Sequence, residues 1–273
     1  MGLEALALAA AMQRPDFRKG IHNDLLICEH CHTPKETLVS IPGTLSFTTP
    51  IPCQCQAERN AEEKEQGRIA RVERIAKANW SETAKWFSQD NEHLPKASDV
   101  CRRYVEDWTA MYNSGTGILF YGDVERGKTF FATCIACELL KRGVPTYVTT
   151  ISRIISQMGG AFEGESFLHE ICKWHLLVID DIGTDWGSAF STSRAFDAIN
   201  ARVASGRPTI FTTNLPLREM ENAADIAQRR IYSRVLGACP IKLLLEGDPQ
   251  RQRAAEQKRR LAIKSLFGRK DAT

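Results

Sequence analysis

The most constraining stretch of the chain is Gly122-Asp123-Val124-Glu125-Arg126-Gly127-Lys128-Thr129. It follows a short apolar run, Gly117-Ile118-Leu119-Phe120, of the kind that forms a buried strand, and it opens a segment over 129–140 with helical spacing. Strand, glycine-bounded loop and helix in that order make the P-loop pattern G-x-x-x-x-G-K-T. Backbone N–H groups of such a loop converge on phosphate oxygens, which requires close approach and therefore Gly127 beside the anion. The Lys128 ammonium then reaches the β and γ phosphates of ATP, and the Thr129 hydroxyl ligates Mg²⁺. The alternative is a chance Gly-Lys-Thr turn. Many P-loops carry a further glycine where this chain has Glu125, so a carboxylate hangs near the phosphates and backbone freedom is lost. Binding is expected to survive this; the expectation of fast turnover is weaker.

Downstream residues supply the partners such a loop needs. His175-Leu176-Leu177-Val178-Ile179-Asp180-Asp181 contains four consecutive apolar residues, a strand buried on both faces as in a parallel sheet, whose carboxyl end is where ligands gather. Asp180 suits the Mg²⁺ shell, held through water, and Asp181 the orientation or deprotonation of an attacking water. The competing reading is a strand ending in solvated acids. Pro208-Thr209-Ile210-Phe211-Thr212-Thr213-Asn214 reads as another buried strand, placing Asn214 either beside that water or as the N-cap of a helix starting near Pro216. Near the end of that helix Arg230 and Arg234, four apart, share a face. One of them could complete a neighbouring subunit's site as an arginine finger; the alternative is salt bridging or compensation of a helix end. Further strands are expected over 145–150 and 241–245, and two helices over 151–174 around a glycine-rich bend. Phe162 in that bend is either a base-stacking residue or simply packed.

The amino-terminal part carries different chemistry. Cys28 and Cys31, then Cys53 and Cys55, form two close pairs matching a structural Zn²⁺ site that replaces a core too small to stand alone. His22, His30 and His32 are near enough to substitute for one thiolate, and free thiols on a flexible arm are the alternative. A zinc ribbon of this size is usually a docking surface. Cys134 and Cys137 sit three apart inside an apolar helix and read as packed core. Residues 57–79 read as a connecting helix, after which Trp80, Trp86 and Phe87 close a local core or form a partner face. Pro95 breaks the region, and a helix over 100–111 leads into the nucleotide domain.

With 273 residues, 43% hydrophobic and 25% charged, the chain can bury one sizeable core and carry a small extra module. The expected division is a Cys-rich domain over 1–60, a helical linker over 61–95, a nucleotide-binding α/β domain over 96–250 and a tail over 251–273. The net charge of +3 hides a basic tail, with eight Lys or Arg against Glu256 alone over 251–270, which suits nucleic acid or a solvated helix equally. No run of eighteen apolar residues exists, so no membrane span is expected. The apolar opening 3–12 reads as an amphipathic or partner-binding helix, not a signal peptide. A P-loop needs the cytosolic nucleotide pool, so the protein is expected to be cytoplasmic, its nine cysteines reduced.

Taken together, Gly122-x-x-x-x-Gly127-Lys128-Thr129, Leu176-Leu177-Val178-Ile179-Asp180-Asp181-Ile182-Gly183, Thr212-Thr213-Asn214 and Arg230-Ile231-Tyr232-Ser233-Arg234-Val235 resemble the DnaC/DnaI replicative helicase loaders, AAA+ ATPases with the transposition-associated IstB proteins as relatives. The resemblance covers roughly 96–250. It implies an AAA+ P-loop parallel sheet flanked by helices, with Lys128 and Thr129 as Walker A, Asp180 and Asp181 as Walker B, Asn214 as sensor 1, and Arg234, or second Arg230, as the finger acting in trans. It further implies that the insert over 151–174 lines single-stranded DNA, and that the zinc-binding module docks a DnaB-type replicative helicase. ATP would be hydrolysed to ADP and phosphate between self-associated subunits, weakly unless partner and DNA are present. An IstB-like regulator of a transposase is the other reading. Because the chain ends soon after its last strand, the helical lid with its sensor 2 arginine is expected to be absent.

Overall fold

The computed structural model describes residues 25–41, 46–90, 94–158, 161–183 and 187–246, excepting the side chains of 161–163. The apolar opening, His22, the Phe162 side chain, the chain beyond Glu246 and hence the basic tail and any lid lie outside the described residues. The chain divides into two compact units, Met1–Ile69 and Ala70–Thr273.

In the first unit, β1 (Glu36–Ser40) and β2 (Ser46–Pro50) pair antiparallel, Glu36 opposite Pro50 and Ser40 opposite Ser46. Two strands are too few to bury a core. Leu26, Ile27, Leu38, Ile41 and Ile51 are accordingly exposed, while Cys28 and Cys53 are the buried apolar side chains among the described residues of this unit. The helix α1 (Gln54–Asn79) begins directly after Cys53 and places Cys55 in its first turn. It starts three residues before the periodic pattern does, and Gly67 sits inside it without interrupting it.

The second unit is built on a parallel sheet in the order β4-β5-β6-β3-β7, comprising β3 (Ile118–Tyr121), β4 (Thr146–Thr150), β5 (Leu176–Ile182), β6 (Thr209–Thr213) and β7 (Ile241–Leu244). The P-loop strand β3 therefore lies between β6 and β7, with Ile118 opposite both Ile210 and Ile241. β6 is the central strand with β5 and β3 on either side of it, and Ile118, Leu119, Phe120, Ile210 and Phe211 have no exposed surface. Each such side chain contributes on the order of 1.5–3 kcal/mol of burial. The helix α4 (Lys128–Lys141) packs on β3, β4, β5 and β6, with Cys134 and Cys137 wholly buried among its apolar residues, where desolvation raises both thiols and Cys137 to about 12. They are core residues. Trp80, Trp86 and Phe87 are buried likewise.

Several elements depart from the pattern in the sequence. Pro95 begins a helix, α2 (Pro95–Glu106), because proline's missing N–H costs nothing in the first turn; α3 (Trp108–Ser114) follows it. The insert is α5 (Ile151–Gln157) and α6 (Ala161–Lys173), with Gly164 inside the second helix. The sequence reading did not anticipate α7 (Ala189–Ala204), although Ala195, Ala198, Ile199 and Arg202 are all buried at helical spacing. The helix expected from Pro216 onward is two helices, α8 (Leu217–Glu221) and α9 (Ile226–Ala238). Asp225 starts the second by accepting a hydrogen bond from the Gln228 N–H at 2.8 Å, so Arg230 and Arg234 lie in the body of a new helix.

Candidate nucleotide and metal sites

The loop between β3 and α4 begins at Gly122, whose φ is 132° and where a Cβ would stand 2.5 Å from the Leu245 carbonyl oxygen. Only glycine fits. The exposed Asp123 carboxylate lies 3.6 Å from the Arg126 guanidinium, and Val124 points outward. Glu125 adopts φ 64°, a left-handed backbone that costs about 1–2 kcal/mol for a residue with a Cβ. Gly127, with φ 87°, is the N-cap of α4. The Lys128 ammonium is folded onto the loop, donating to the carbonyls of Gly122 at 2.8 Å and Asp123 at 2.5 Å. Burial lowers its pKa while Asp181, Asp180 and Asp123 oppose the shift. These acids offset part of the cost of burying the ammonium.

The structure brings the expected loop and strand-end residues together. Thr129 Oγ1 donates to Asp180 Oδ1 and Oδ2 at 2.9 and 3.1 Å, across the intervening strand β6. Asn214 Nδ2 donates to Asp181 Oδ1 at 3.2 Å; the N-cap of α8 is Pro216, so Asn214 does not cap that helix. Thr212, which the sequence reading gave no role, donates to Asp180 Oδ1 at 2.5 Å and accepts from the Asp181 N–H at 2.8 Å. Its place in the run before Asn214 was the available signal. Hydroxyls and carboxylates convergent at the carboxyl end of a parallel sheet, beside a glycine-bounded loop that opens a helix, suit a nucleoside triphosphate with a hard divalent cation.

Arg234 is not brought into this cluster. It is exposed on α9 and lines, with Arg229, Arg230, Phe196 and Val203, an open cleft of ≈ 530 Å³ between α7 and α9. Arg230 lies with its guanidinium carbon 4.6 Å from the Phe196 ring centroid. Both arginines are thus available on a surface.

In the first unit Cys28, Cys31, Cys53 and Cys55 place their sulfurs within 4.8 Å of one another. Cys28 and Cys55 are 3.7 Å apart, and Cys53 and Cys55 3.4 Å. A tetrahedral ion with Zn–S bonds of about 2.3 Å spaces its sulfurs about 3.8 Å apart, so the four fit zinc. Neither His30 nor His32 belongs to the cluster: His32 makes the turn, with φ 53° and its N–H on the Cys28 carbonyl at 2.9 Å. The Thr33 hydroxyl is the main cause holding the Cys31 thiol down at about 5, whereas hydrogen bonds from Cys53 and Cys31 push Cys55 up to about 12. Without a cation the cluster resists carrying four thiolates, and a bound dication would relieve that.

A P-loop on a parallel sheet ordered this way, with paired carboxylates on the strand once removed, defines an AAA+ fold. Residues 54–257 match the family of IstB-like ATP binding proteins, and the chain belongs to that family. It is similar to the replicative helicase loader DnaC of Escherichia coli strain K12, 32% identical over 129 residues, 45% of this chain and 51% of that protein. The chain therefore spans about half the length of that relative. A putative ATP-binding protein in an insertion sequence of Mycobacterium tuberculosis is 25% identical over 58% of this chain and 64% of its own length. Among solved structures, DnaI superposes with a TM-score of 0.50 at 21% identity, covering 61% of this chain and 90% of that one, a likeness of fold. No helix among the described residues is long and apolar enough to cross a membrane.

Proposed function

We propose that this protein is an ATP-dependent loader that binds a DnaB-type replicative helicase and helps place it on single-stranded DNA. The observation that carries the ATPase part is the bond from the P-loop hydroxyl of Thr129 to Asp180, with Asn214 on Asp181 beside it. Gly122 to Thr129 would bind the phosphates, Lys128 exchanging its two loop carbonyls for phosphate oxygens. Thr129 and Asp180 are the residues placed to hold Mg²⁺, which when bound supplies positive charge against the β and γ phosphates. Asp181, its Oδ1 fixed by Asn214, would orient the attacking water, and Arg234 of a neighbouring copy would complete the site. The similarity to DnaC supports the loader part. In this reading the Cys-rich domain over 1–60, stapled by zinc on Cys28, Cys31, Cys53 and Cys55, grips the helicase; the linker over 61–95 joins it to the ATPase domain over 96–250, whose α5–α6 insert contacts DNA.

Native mass spectrometry of the full chain with a purified DnaB-type hexamer, ATP and Mg²⁺ tests this. One zinc per chain, bound nucleotide and a loader–helicase complex are expected, and Lys128→Ala should lose the nucleotide alone. Failure of the unaltered protein to take up any nucleotide with magnesium, helicase and single-stranded DNA supplied would end the reading. The likeness to an insertion-sequence protein favours one alternative, an IstB-like regulator. Copurification with a transposase and duplex DNA in place of the helicase would select it.

A further inference from the structure

We infer that Thr212 is a positioning residue of the nucleotide site, a hydroxyl that sets the metal-facing carboxylate of Asp180 and the backbone of Asp181 together; this rests on the ATPase reading above. The reason lies in the pairing of β5 with β6. Ile179 pairs with Phe211 and Ile182 with Thr213, so two residues, Asp180 and Asp181, stand opposite Thr212 alone. That is a bulge of one extra residue, and it takes a backbone N–H out of the ladder and bends the strand. Asp181 meets it with φ 57°, a left-handed conformation that an aspartate tolerates better than most side chains.

A buried N–H displaced from a ladder needs another acceptor. The Thr212 side chain, 2% exposed, supplies it: Oγ1 accepts from the Asp181 N–H at 2.8 Å and sends its single proton to Asp180 Oδ1 at 2.5 Å. One hydroxyl therefore uses its donor and an acceptor on two successive acids. The amide bond holds the bulge that aims Asp181 toward Asn214, and the carboxylate bond fixes one oxygen of Asp180. Thr129 also donates to Asp180, but its hydroxyl is the one a metal would claim. Thr212 can keep its bond to Asp180 when Thr129 turns to the cation, which makes it the steady support of a ligand that must not rotate. Valine has the same shape without the hydroxyl, and serine keeps the hydroxyl.

The test is a Mg²⁺ titration of fluorescent ATP-analogue binding to the full chain, with the same binding measured in EDTA, and steady-state ATPase in the presence of single-stranded DNA. Thr212→Val should raise the Mg²⁺ concentration for half-saturation about 10–100-fold, leave metal-free nucleotide binding within twofold, and lower kcat with little change in KM at saturating Mg²⁺. Thr212→Ser should restore the Mg²⁺ requirement to within about threefold. If valine proves too unstable to purify, Thr212→Ala, which removes the hydroxyl outright, takes its place with the same thresholds. A folded valine or alanine variant with an unchanged Mg²⁺ requirement overturns the inference, as does a serine variant impaired as badly as valine. Absence of Mg²⁺-dependent binding in the unaltered protein overturns instead the ATPase reading on which it stands.

Discussion

Replacement of Arg202 should destabilise the second unit about as much as truncation of one of its large apolar core residues. Arg202 has no exposed surface and, among the described residues, no carboxylate partner; its guanidinium spends all five N–H donors on neighbouring chain. Nε bonds Thr209 Oγ1 at 3.0 Å, one terminal nitrogen the carbonyls of Ile171 and Trp174 at 3.1 and 2.7 Å, and the other those of His175 and Pro208 at 3.3 and 2.6 Å. Burial brings its pKa down to about 10, still well above neutrality, so the group stays charged. Arg202→Met removes the charge and fills much of the space but strands the carbonyls of Ile171, Trp174 and His175, while that of Pro208 keeps the Leu177 N–H at 3.5 Å. At the low end of about 1–3 kcal/mol for each buried acceptor left unpaired, the loss is about 3 kcal/mol. For a unit of this size that lowers the melting temperature by about 6–12 °C. Arg202→Lys, with three donors on one nitrogen, should recover only part of it. Urea unfolding followed by tryptophan fluorescence reads the change directly, since Trp174 is one of the residues Arg202 holds, and an unchanged slope shows that stability alone has moved. Buried charges are sometimes replaced by apolar residues without cost. A methionine variant within about 1 kcal/mol of the parent would show that the same holds here, and that the carbonyls find other donors.

The other expectations concern the sites. Arg234→Ala should leave nucleotide binding intact and remove about 10³-fold or more of the ATPase stimulated by partner and DNA; stimulation that survives rules out the finger. Glu125→Gly relieves a left-handed backbone and removes an anion near the phosphates, so ATP should bind about threefold tighter or better at low salt, the gain shrinking as ionic strength rises. Equal or weaker binding at low salt would mean that the carboxylate is not felt there. Thr33 bridges the two cysteine pairs, its Oγ1 3.0 Å from Cys31 Sγ and accepting from the Gln54 N–H at 2.9 Å. Thr33→Val should therefore lose zinc to a competing chelator about 10–100-fold more readily, and Thr33→Ser should not.

What could be read from the sequence was what depends on residue type at short range. The P-loop announces itself because glycine, lysine and threonine each answer a local demand, and the four consecutive apolar residues before Asp180 mark a central strand without any knowledge of its neighbours. The two cysteine pairs are legible for the same reason. What could not be read depends on partners far along the chain. Arg202 occupies the inward slot of an amphipathic helix, where an arginine disguises the periodicity of α7, and only the tertiary structure reveals the carbonyls that make it welcome. Those carbonyls include the end of the insert helix: Arg202 takes the Ile171 and Trp174 carbonyls and Arg207 those of Cys172 and Lys173. Two guanidiniums thereby serve as the C-terminal cap of α6, a role usually filled by glycine and local backbone. Thr212 was invisible for a similar reason, since its function follows from a register shift between strands that lie some thirty residues apart.

Backbone strain connects the two candidate sites. Among the described residues, the non-glycine positions with positive φ are His32, Glu125 and Asp181. Each sits in an element of a candidate site: the turn between Cys28 and Cys53, the loop between β3 and α4, and the bulge at the end of β5. Such conformations persist only where surrounding structure compels them. At Asp181 the compelling contact is Thr212, and at His32 it is the hydrogen bond to the Cys28 carbonyl. Glu125 has neither an aspartate's tolerance nor a histidine's for this region, and its loop is held from within by Lys128 on the Gly122 and Asp123 carbonyls. Glu125 therefore carries the cost of a left-handed backbone, about 1–2 kcal/mol, at the position where many P-loops have glycine, and the Glu125→Gly variant above removes that cost together with the carboxylate.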